Sequence, residues 1–244
     1  MILAAGLGTR LRPLTENRPK ALVEVSGRTL LEIALERLRH CGVNDVIVNV
    51  NHFAEMIADY LQANENFGMR VELSREEVLL DTGGGLKKAA WFFLDDPNRV
   101  DEPFILHNVD ILSNIDLERV IQFHIDSQAL ATLAVQRHET SRYLLFDEQG
   151  ELCGWRSTSD GREKRVRSLE HPQALGFTGI HIISPRLLSL MTEEGAFSII
   201  DAYLNLASRN YRIVAYRADA YSWQDVGSPE SLRNASSAVK DTRI

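Results

Sequence analysis

Short apolar, β-branched runs alternate with amphipathic helical stretches through the first 136 residues, and few folds accept that order. DVIVNVN (45–51) reads as a strand, FAEMIADYLQ (53–62) as a helix, RVELS (70–74) as a strand and GLKKAAWFFL (85–94) as a helix. Upstream, MILAA reads as a buried first strand. Thr29 to His40 then places Leu30, Leu31, Ile33, Ala34, Leu35 and Leu38 on one broad helical face, ended at Cys41-Gly42. Downstream come a strand PFILHNVDIL (103–112), a helix from Asp116 to Ser127 and a strand ALATLAVQ (129–136). Repeated strand-helix units with buried strands predict an α/β fold, Rossmann-like, with a mixed, mainly parallel sheet flanked by helices.

The pattern changes after Gln136. YLLFDEQGELCGWR (143–156) predicts a hairpin turning at Gln149-Gly150, and STSDGREKRVRS (157–168) a polar, mobile loop. A strand GFTGIHIIS (176–184), a helix FSIIDAYLNLA (197–207), and the strands RIVAYRA (212–218) and YSWQDVG (221–227) follow. The expectation is one domain over 1–244, with a nucleotide-type α/β half over 1–136 and a mixed half over 137–244.

Charge now singles out one segment. The formal net charge is −7, yet AAGLGTRLRPLTENRPKAL (4–22) carries Arg10, Arg12, Arg18 and Lys20, opposed only by Glu16. An acidic chain lacks the broad Lys and Arg excess that holds nucleic-acid backbones, so no nucleic-acid partner is expected. Any anion site is local. The N-terminal apolar run is too short for a signal peptide or membrane span, and no membrane partner is expected. Cys41 and Cys153 are the only cysteines, too few for a disulfide framework, which fits a reducing, cytoplasmic setting.

Common phosphate-binding designs can be tested against this loop. It lacks the G-K-[ST] ending of a P-loop, and Pro13 prevents a helix from running on through it. It also lacks the third glycine and the immediate helix of a dinucleotide fingerprint. What remains is a loop whose main-chain N–H groups and cations wrap a phosphate chain together. Gly6 and Gly8 allow close approach, and Arg10 and Lys20 supply charge-assisted bonds.

The string GLGTRLRPLT followed by RPKAL resembles the signature of the sugar-1-phosphate nucleotidyltransferases, G-x-G-[ST]-R-[LM]-x-P-[LM]-T with a later Pro-Lys pair. Gly6, Gly8, Thr9, Arg10, Leu11, Pro13, Leu14, Thr15, Pro19 and Lys20 fill its fixed positions. The resemblance implies the nucleotide-diphospho-sugar transferase type of fold, with a small β-rich sugar-binding portion in the second half. It also implies NTP plus sugar-1-phosphate giving NDP-sugar and pyrophosphate. Ala5, Gly6, Gly8, Thr9 and Arg10 then belong to the nucleotide site, and Arg10, Lys20 and Asp110 to catalysis.

Two carboxylates complete that expectation. Asp110 follows an apolar strand in HNVD, and Asp225 follows another in WQDVGSPESL, ahead of a helix start at Ser228-Pro229. Hard oxygen donors of this kind suit Mg²⁺. The family resemblance assigns Asp110 and Asp225 to the metal and Asn108 to the sugar phosphate, although Val109 stands where a glycine is usual.

LLDTGGGLKKA (79–89) is expected to form a glycine loop at a strand-to-helix junction, a wall free of side chains against which a base can lie. The resemblance carries Gly83 and Gly84 there, with Glu76. It also assigns Glu170, Thr178 and Gly179 to the sugar phosphate, with His171 in place of the family's lysine. Trp91, Phe92, Phe93 and Cys41 are expected in the core, His52 in a structural role, Lys87 and Lys88 in solvent, and Arg162 to Arg167 on a solvated edge.

The TGGG and FTGIHI segments look most like muramic-acid-1-phosphate uridylyltransferases and mannose- or heptose-1-phosphate guanylyltransferases. TENRPKALV keeps a choline-phosphate-type acceptor open. A binding module without turnover would be expected to damage Arg10, Lys20, Asp110 or Asp225, and all are present. An NAD-dependent oxidoreductase would need the missing fingerprint. Hexapeptide repeats are absent after Asp225, which predicts no second acyltransferase activity. The sequence leaves the oligomeric state open, a homo-oligomer included.

Overall fold

The computed structural model describes residues 1–95, 101–167 and 171–238. In chain order its elements are β1 (Ile2–Leu3), β2 (Glu24–Val25), β3 (Arg28–Thr29), α1 (Leu30–His40), β4 (Asp45–Val50), α2 (Ala54–Ala63), β5 (Arg70–Arg75), α3 (Asp81–Lys88) and α4 (Trp91–Leu94). Then follow β6 (Phe104–Asn108), β7 (Ile111–Ser113), α5 (Leu117–Ser127), β8 (Ala131–Gln136), β9 (Arg142–Phe146), β10 (Leu152–Ser157) and β11 (Glu163–Arg165). The remainder are β12 (Gln173–Ile183), α6 (Arg186–Leu190), α7 (Ile199–Ser208), β13 (Ile213–Arg217), β14 (Trp223–Asp225) and α8 (Pro229–Ala238). The class is the expected one, α/β with a mixed, mainly parallel sheet flanked by helices.

The chain divides into two compact units, neither continuous in sequence. The first comprises 1–81, 107–115 and 222–244. Its centre is β4, buried along nearly its whole length and parallel to β1 on one side and β5 on the other. Val46, Ile47, Val48 and Val50 explain why: a continuous β-branched run suits a strand covered on both faces. His107 and Asn108, the last residues of β6, pair in parallel with Ile2 and Leu3. Thr29 caps α1 by accepting from the Glu32 N–H at 3.1 Å, and the helix buries Leu31, Ile33, Leu35 and Leu38. A separate antiparallel pair joins β14 to β7, with Asp225 opposite Ile111. Arg37 of α1 fastens that pair through the Ser113 and Ile115 carbonyls and the Ser113 hydroxyl. Burial lowers the pKa of this guanidinium to about 10.

The second unit comprises 82–106 and 116–221. Here β8 is buried throughout, antiparallel to β12 and parallel to β13. From β12 the pairing continues antiparallel through β9 and β10 to β11. Tyr203 of α7 is fully buried, and its hydroxyl lies 2.8 Å from His181 Nδ1 of β12.

Several expectations are corrected. PFILHNVDIL is two strands, β6 and β7, because the chain turns at Val109-Asp110. The segment 157–168 is not simply a loop: Glu163–Arg165 pairs with Gly154, Trp155 and Arg156 as an edge strand, exposed as a solvated edge would be. GLKKAAWFFL is not one helix, since α3 ends at Lys88 and α4 begins at Trp91. Trp91 is 44% exposed and not core, and Cys41 is only half-buried. Lys87 is not simply solvated either; its ammonium bonds the Glu193 carbonyl and the Glu194 carboxylate at 2.6 Å each.

Candidate active site

The basic loop after β1 is shaped by its glycines. Gly8 has φ +64°, the left-handed region, and a Cβ there would meet Thr15 Cγ2 at 2.9 Å and Lys20 Cβ at 3.2 Å. Both features demand glycine. Thr15 donates its hydroxyl to the Gly8 carbonyl at 2.8 Å, while Leu11 is fully buried beneath a single 3-10 turn over Thr9–Leu11. Gly6 is exposed, with open space where a Cβ would stand. No main-chain N–H from Gly6 to Arg10 has a protein acceptor among the described residues. A run of unpaired N–H groups ending at Arg10 offers several donors to an anion.

The second 3-10 turn, Lys20–Leu22, follows the extended Pro19 and is anchored by buried Ala21 and Leu22. It brings the Lys20 ammonium onto the Asp110 carboxylate in a close ion pair. Both side chains are largely buried, 11% and 16% exposed. Asp110 stands at the turn between β6 and β7, and its carbonyl accepts from the Val226 N–H at 2.9 Å. That bond and the β7–β14 pairing set Asp225 beside Asp110.

Asp225 Oδ1 accepts from the Gly227 N–H at 2.6 Å, and Oδ2 lies 3.8 Å from Arg10 Nη2. Burial, followed by the Asp110 charge, holds the Asp225 carboxyl above the usual carboxylate range, against Lys20, the Gly227 N–H and Arg10. Gly227 is needed for space. A Cβ there would fall 2.5 Å from Arg10 Nη2 and 2.6 Å from Asp225 Oδ1. Thus Arg10, Lys20, Asp110 and Asp225, about 215 residues apart at the extremes, come together in the first unit. Arg12 and Arg18 are exposed.

Other expected residues are placed differently. Glu76 is buried, and its two oxygens accept from Asn49 Nδ2 at 2.8 Å and the Leu80 N–H at 2.9 Å. Asn49 Oδ1 in turn accepts from the Ala4 N–H at 2.7 Å. Glu76 is therefore a brace for the strand that leads into Ala5 and Gly6. Asn49 was not anticipated; a lone amide inside the apolar run DVIVNV is the signal that marks it. Asn108 ends β6, its carbonyl 2.7 Å from His107 Nδ1. His52 is exposed and its ring lies against Phe53.

The TGGG segment is not a loop. Its glycines lie inside α3, buried, and both the Gly83 and Gly84 N–H groups donate to the Phe197 carbonyl. A Cβ on Gly83 would stand 2.3 Å from Phe197 Cε2, so the bare backbone serves packing within the second unit. Thr178 is also buried there, with its hydroxyl on the Ala134 carbonyl at 2.8 Å, and Gly179 has φ +79°. Glu170 lies outside the described residues; His171 is exposed.

Comparison with known proteins decides the family. The nucleotidyl transferase profile matches residues 1–242. The chain belongs to the nucleotidyl transferase family. Among curated members of this family, an N-acetylmuramate alpha-1-phosphate uridylyltransferase of Caulobacter vibrioides is 32% identical over 241 residues, 95% of this chain and 92% of that protein. A mannose-1-phosphate guanyltransferase of Yarrowia lipolytica is 30% identical over 95% of this chain, but the chain spans only 61% of its length. Among solved structures, HddC from Yersinia pseudotuberculosis, complexed with GMP-PN, aligns over 98% of this chain and 97% of its own, at TM-score 0.74 and 23% identity. UDP-glucose pyrophosphorylase from Acinetobacter baumanii aligns over 96% and 90%, at TM-score 0.77 and 19% identity. These structural likenesses establish a nucleotidyl transferase fold. No helix among the described residues is long and apolar enough to cross a membrane.

Proposed function

We propose that the chain, as a single nucleotidyltransferase domain over 1–244, converts an NTP and a sugar-1-phosphate into an NDP-sugar and pyrophosphate. The observation that carries this reading is the run of unpaired N–H groups from Gly6 to Arg10, set beside a cluster of two cations and two carboxylates. A sugar-1-phosphate is already an anionic nucleophile at neutral pH, so the task is alignment and charge neutralisation. One oxygen of the acceptor phosphate attacks the α-phosphorus, and the bond to the bridging oxygen breaks as pyrophosphate leaves.

In this mechanism the N–H groups of Gly6, Gly8 and Thr9 and the Arg10 guanidinium hold the triphosphate and the departing pyrophosphate. Ala5 adjoins that loop and Glu76 braces it through Asn49. Lys20 bonds the phosphate under attack. Asp110 and Asp225 offer hard oxygens at a point where two negative charges already repel, which fits a divalent cation. Among the described residues no third His, Cys, Asp or Glu joins them. Asp110 and Asp225 would hold Mg²⁺, which would supply neutralisation of the charge on the reacting phosphates. Asn108 of the first unit and Gly179 and Glu170 of the second are assigned to the sugar phosphate, with buried Thr178 holding its strand through the Ala134 carbonyl, while Gly83 and Gly84 pack against Phe197. Two cysteines in 244 residues suit a cytoplasmic, reducing setting.

The test is direct. Folded protein is incubated with Mg²⁺, each of five NTPs and a panel of sugar-1-phosphates beginning with UTP and N-acetylmuramate α-1-phosphate, and pyrophosphate is measured. Release with one pair is expected; silence across the panel sinks the reading.

A further inference from the structure

Arg37 of α1 is a buried cation whose hydrogen-bond partners are all neutral. Its Nη1 donates to the Ser113 carbonyl and, at 2.6 Å, to the Ser113 hydroxyl, and its Nη2 to the Ile115 carbonyl at 2.5 Å. No carboxylate pairs with it among the described residues, and its Nε is buried without a partner. A charge taken out of water with no counter-ion opposes folding, and an unbranched apolar side chain such as methionine would fill much of the same space without that penalty. What methionine lacks is the grip. A planar fork set on three acceptors fixes both their place and their direction.

The residues so gripped are those that locate Asp225. Asp110 has holds of its own on the core of the first unit: the Val109 N–H donates to the Leu3 carbonyl at 3.1 Å, and the Lys20 ammonium meets the carboxylate. Asp225 is held differently. Its carboxylate contacts are to Gly227, two residues on, and to the exposed Arg10. It ends β14, whose partner strand is β7, and this antiparallel pair forms a sheet of its own. Trp223 lies opposite Ser113 and Asp225 opposite Ile111, so Asp225 takes its place from β7. Two strands alone are marginal in water and need anchoring. Gln224 holds β14 to the Ser231 carbonyl of α8 at 2.7 Å, whereas Arg37 reaches β7 itself from α1. From Ser113 to Ile111 is two residues, about 7 Å along the strand.

We propose that Arg37 is a positioning residue for the paired carboxylates: by fixing Ser113 and Ile115 it sets the separation of Asp225 from Asp110, and with it their hold on a divalent cation. The inference rests on the nucleotidyl-transfer reading for the use of that cation, and every residue in it lies within the first unit. Because the two carboxylates repel each other, a strand pair released from Arg37 lets them draw apart.

The probe is Mn²⁺, followed by electron paramagnetic resonance in place of Mg²⁺. Wild type is expected to bind it at a site that Asp225→Asn removes. Arg37→Met is expected to weaken that binding about tenfold, and Ser113→Ala, which takes away one hydrogen bond and leaves the cation in place, about threefold. Both are measured at a temperature where circular dichroism shows the variants folded. In the pyrophosphate assay the same variants should lower kcat and raise the Mg²⁺ concentration that gives half-maximal rate. Arg37→Met added to Asp225→Asn should lower kcat no further than Asp225→Asn alone, because both act through one carboxylate. A residue that merely stabilises the fold would lower the unfolding midpoint, leave the Mn²⁺ affinity of folded protein unchanged and add its loss to that of Asp225→Asn; that result overturns the inference. So does the absence of an Asp225-dependent Mn²⁺ site in wild type. Where Arg37→Met does not fold, Ser113→Ala decides by the same readouts. Silence in the pyrophosphate assay counts against nucleotidyl transfer, whereas Mn²⁺ binding tests Arg37 without turnover.

Discussion

At the scale of single residues, Lys20 and Asp110 neutralise each other inside the first unit, while Asp225 faces the more exposed Arg10. Asp110→Asn and Asp225→Asn are each expected to lower kcat by a hundredfold or more, with the fold kept by circular dichroism; Asp225→Asn leaves the unfolding midpoint close to wild type, whereas Asp110→Asn, which strips buried Lys20 of its partner, lowers it. Lys20→Met leaves Asp110 without its partner and should reduce both kcat and the unfolding midpoint. Gly227→Ala is a sharper probe. Its added methyl competes with Arg10 Nη2 and Asp225 Oδ1, so activity should fall at least tenfold while stability moves by about 1 kcal/mol or less. Retained activity in Gly227→Ala would mean that Arg10 has another route to the phosphates. These positions were legible as candidates because they sit in contiguous words, GLGTR, RPK, HNVD and WQDVG, which the structure brings together. Asn49 was not, since its importance comes from Ala4 and Glu76, 45 and 27 residues away, meeting it in space.

Among the elements, α3 shows most clearly where local preference yields to packing. Three successive glycines cost a helix about 1 kcal/mol each relative to alanine, and on that ground 79–85 reads as a loop. The helix forms because the Phe197 carbonyl accepts from Gly83 and Gly84 and the Phe197 ring fills the place of a side chain. Gly83→Ala, although favoured by propensity, is therefore expected to destabilise by about 1–3 kcal/mol in urea unfolding. A stabilised variant would show that the ring moves aside freely. The edge strand β11 was hidden for a related reason. Glu163, Lys164 and Arg165 are all exposed, so only pairing with β10, and no apolar pattern, marks the segment as a strand.

For the whole molecule, two buried histidines tie stability to pH. Burial, aided by the Arg37 charge, lowers the pKa of His107 to about 3, and burial lowers that of His124 to about 4. An unfolded histidine titrates near pH 6.5. The contribution of both is complete above that value and is lost as pH falls toward 4, because the unfolded chain takes up protons that the folded chain refuses. His124 alone should account for about 3 kcal/mol across that window. His124→Gln should flatten the decline measured by urea unfolding at successive pH values; an unaltered slope would refute the assignment. The α/β class was readable from alternating periodicity, but the grouping of 1–81 with 107–115 and 222–244 was not, since periodicity reports neighbours along the chain and not across it. That discontinuity also orders events during synthesis. Until Trp223 to Asp225 have been made, β7 lacks its partner strand and Asp110 its companion carboxylate. The proposed reactive centre is consequently assembled late in translation, and the first hundred residues leave the ribosome with Arg10 and Lys20 but with neither Asp110 nor Asp225.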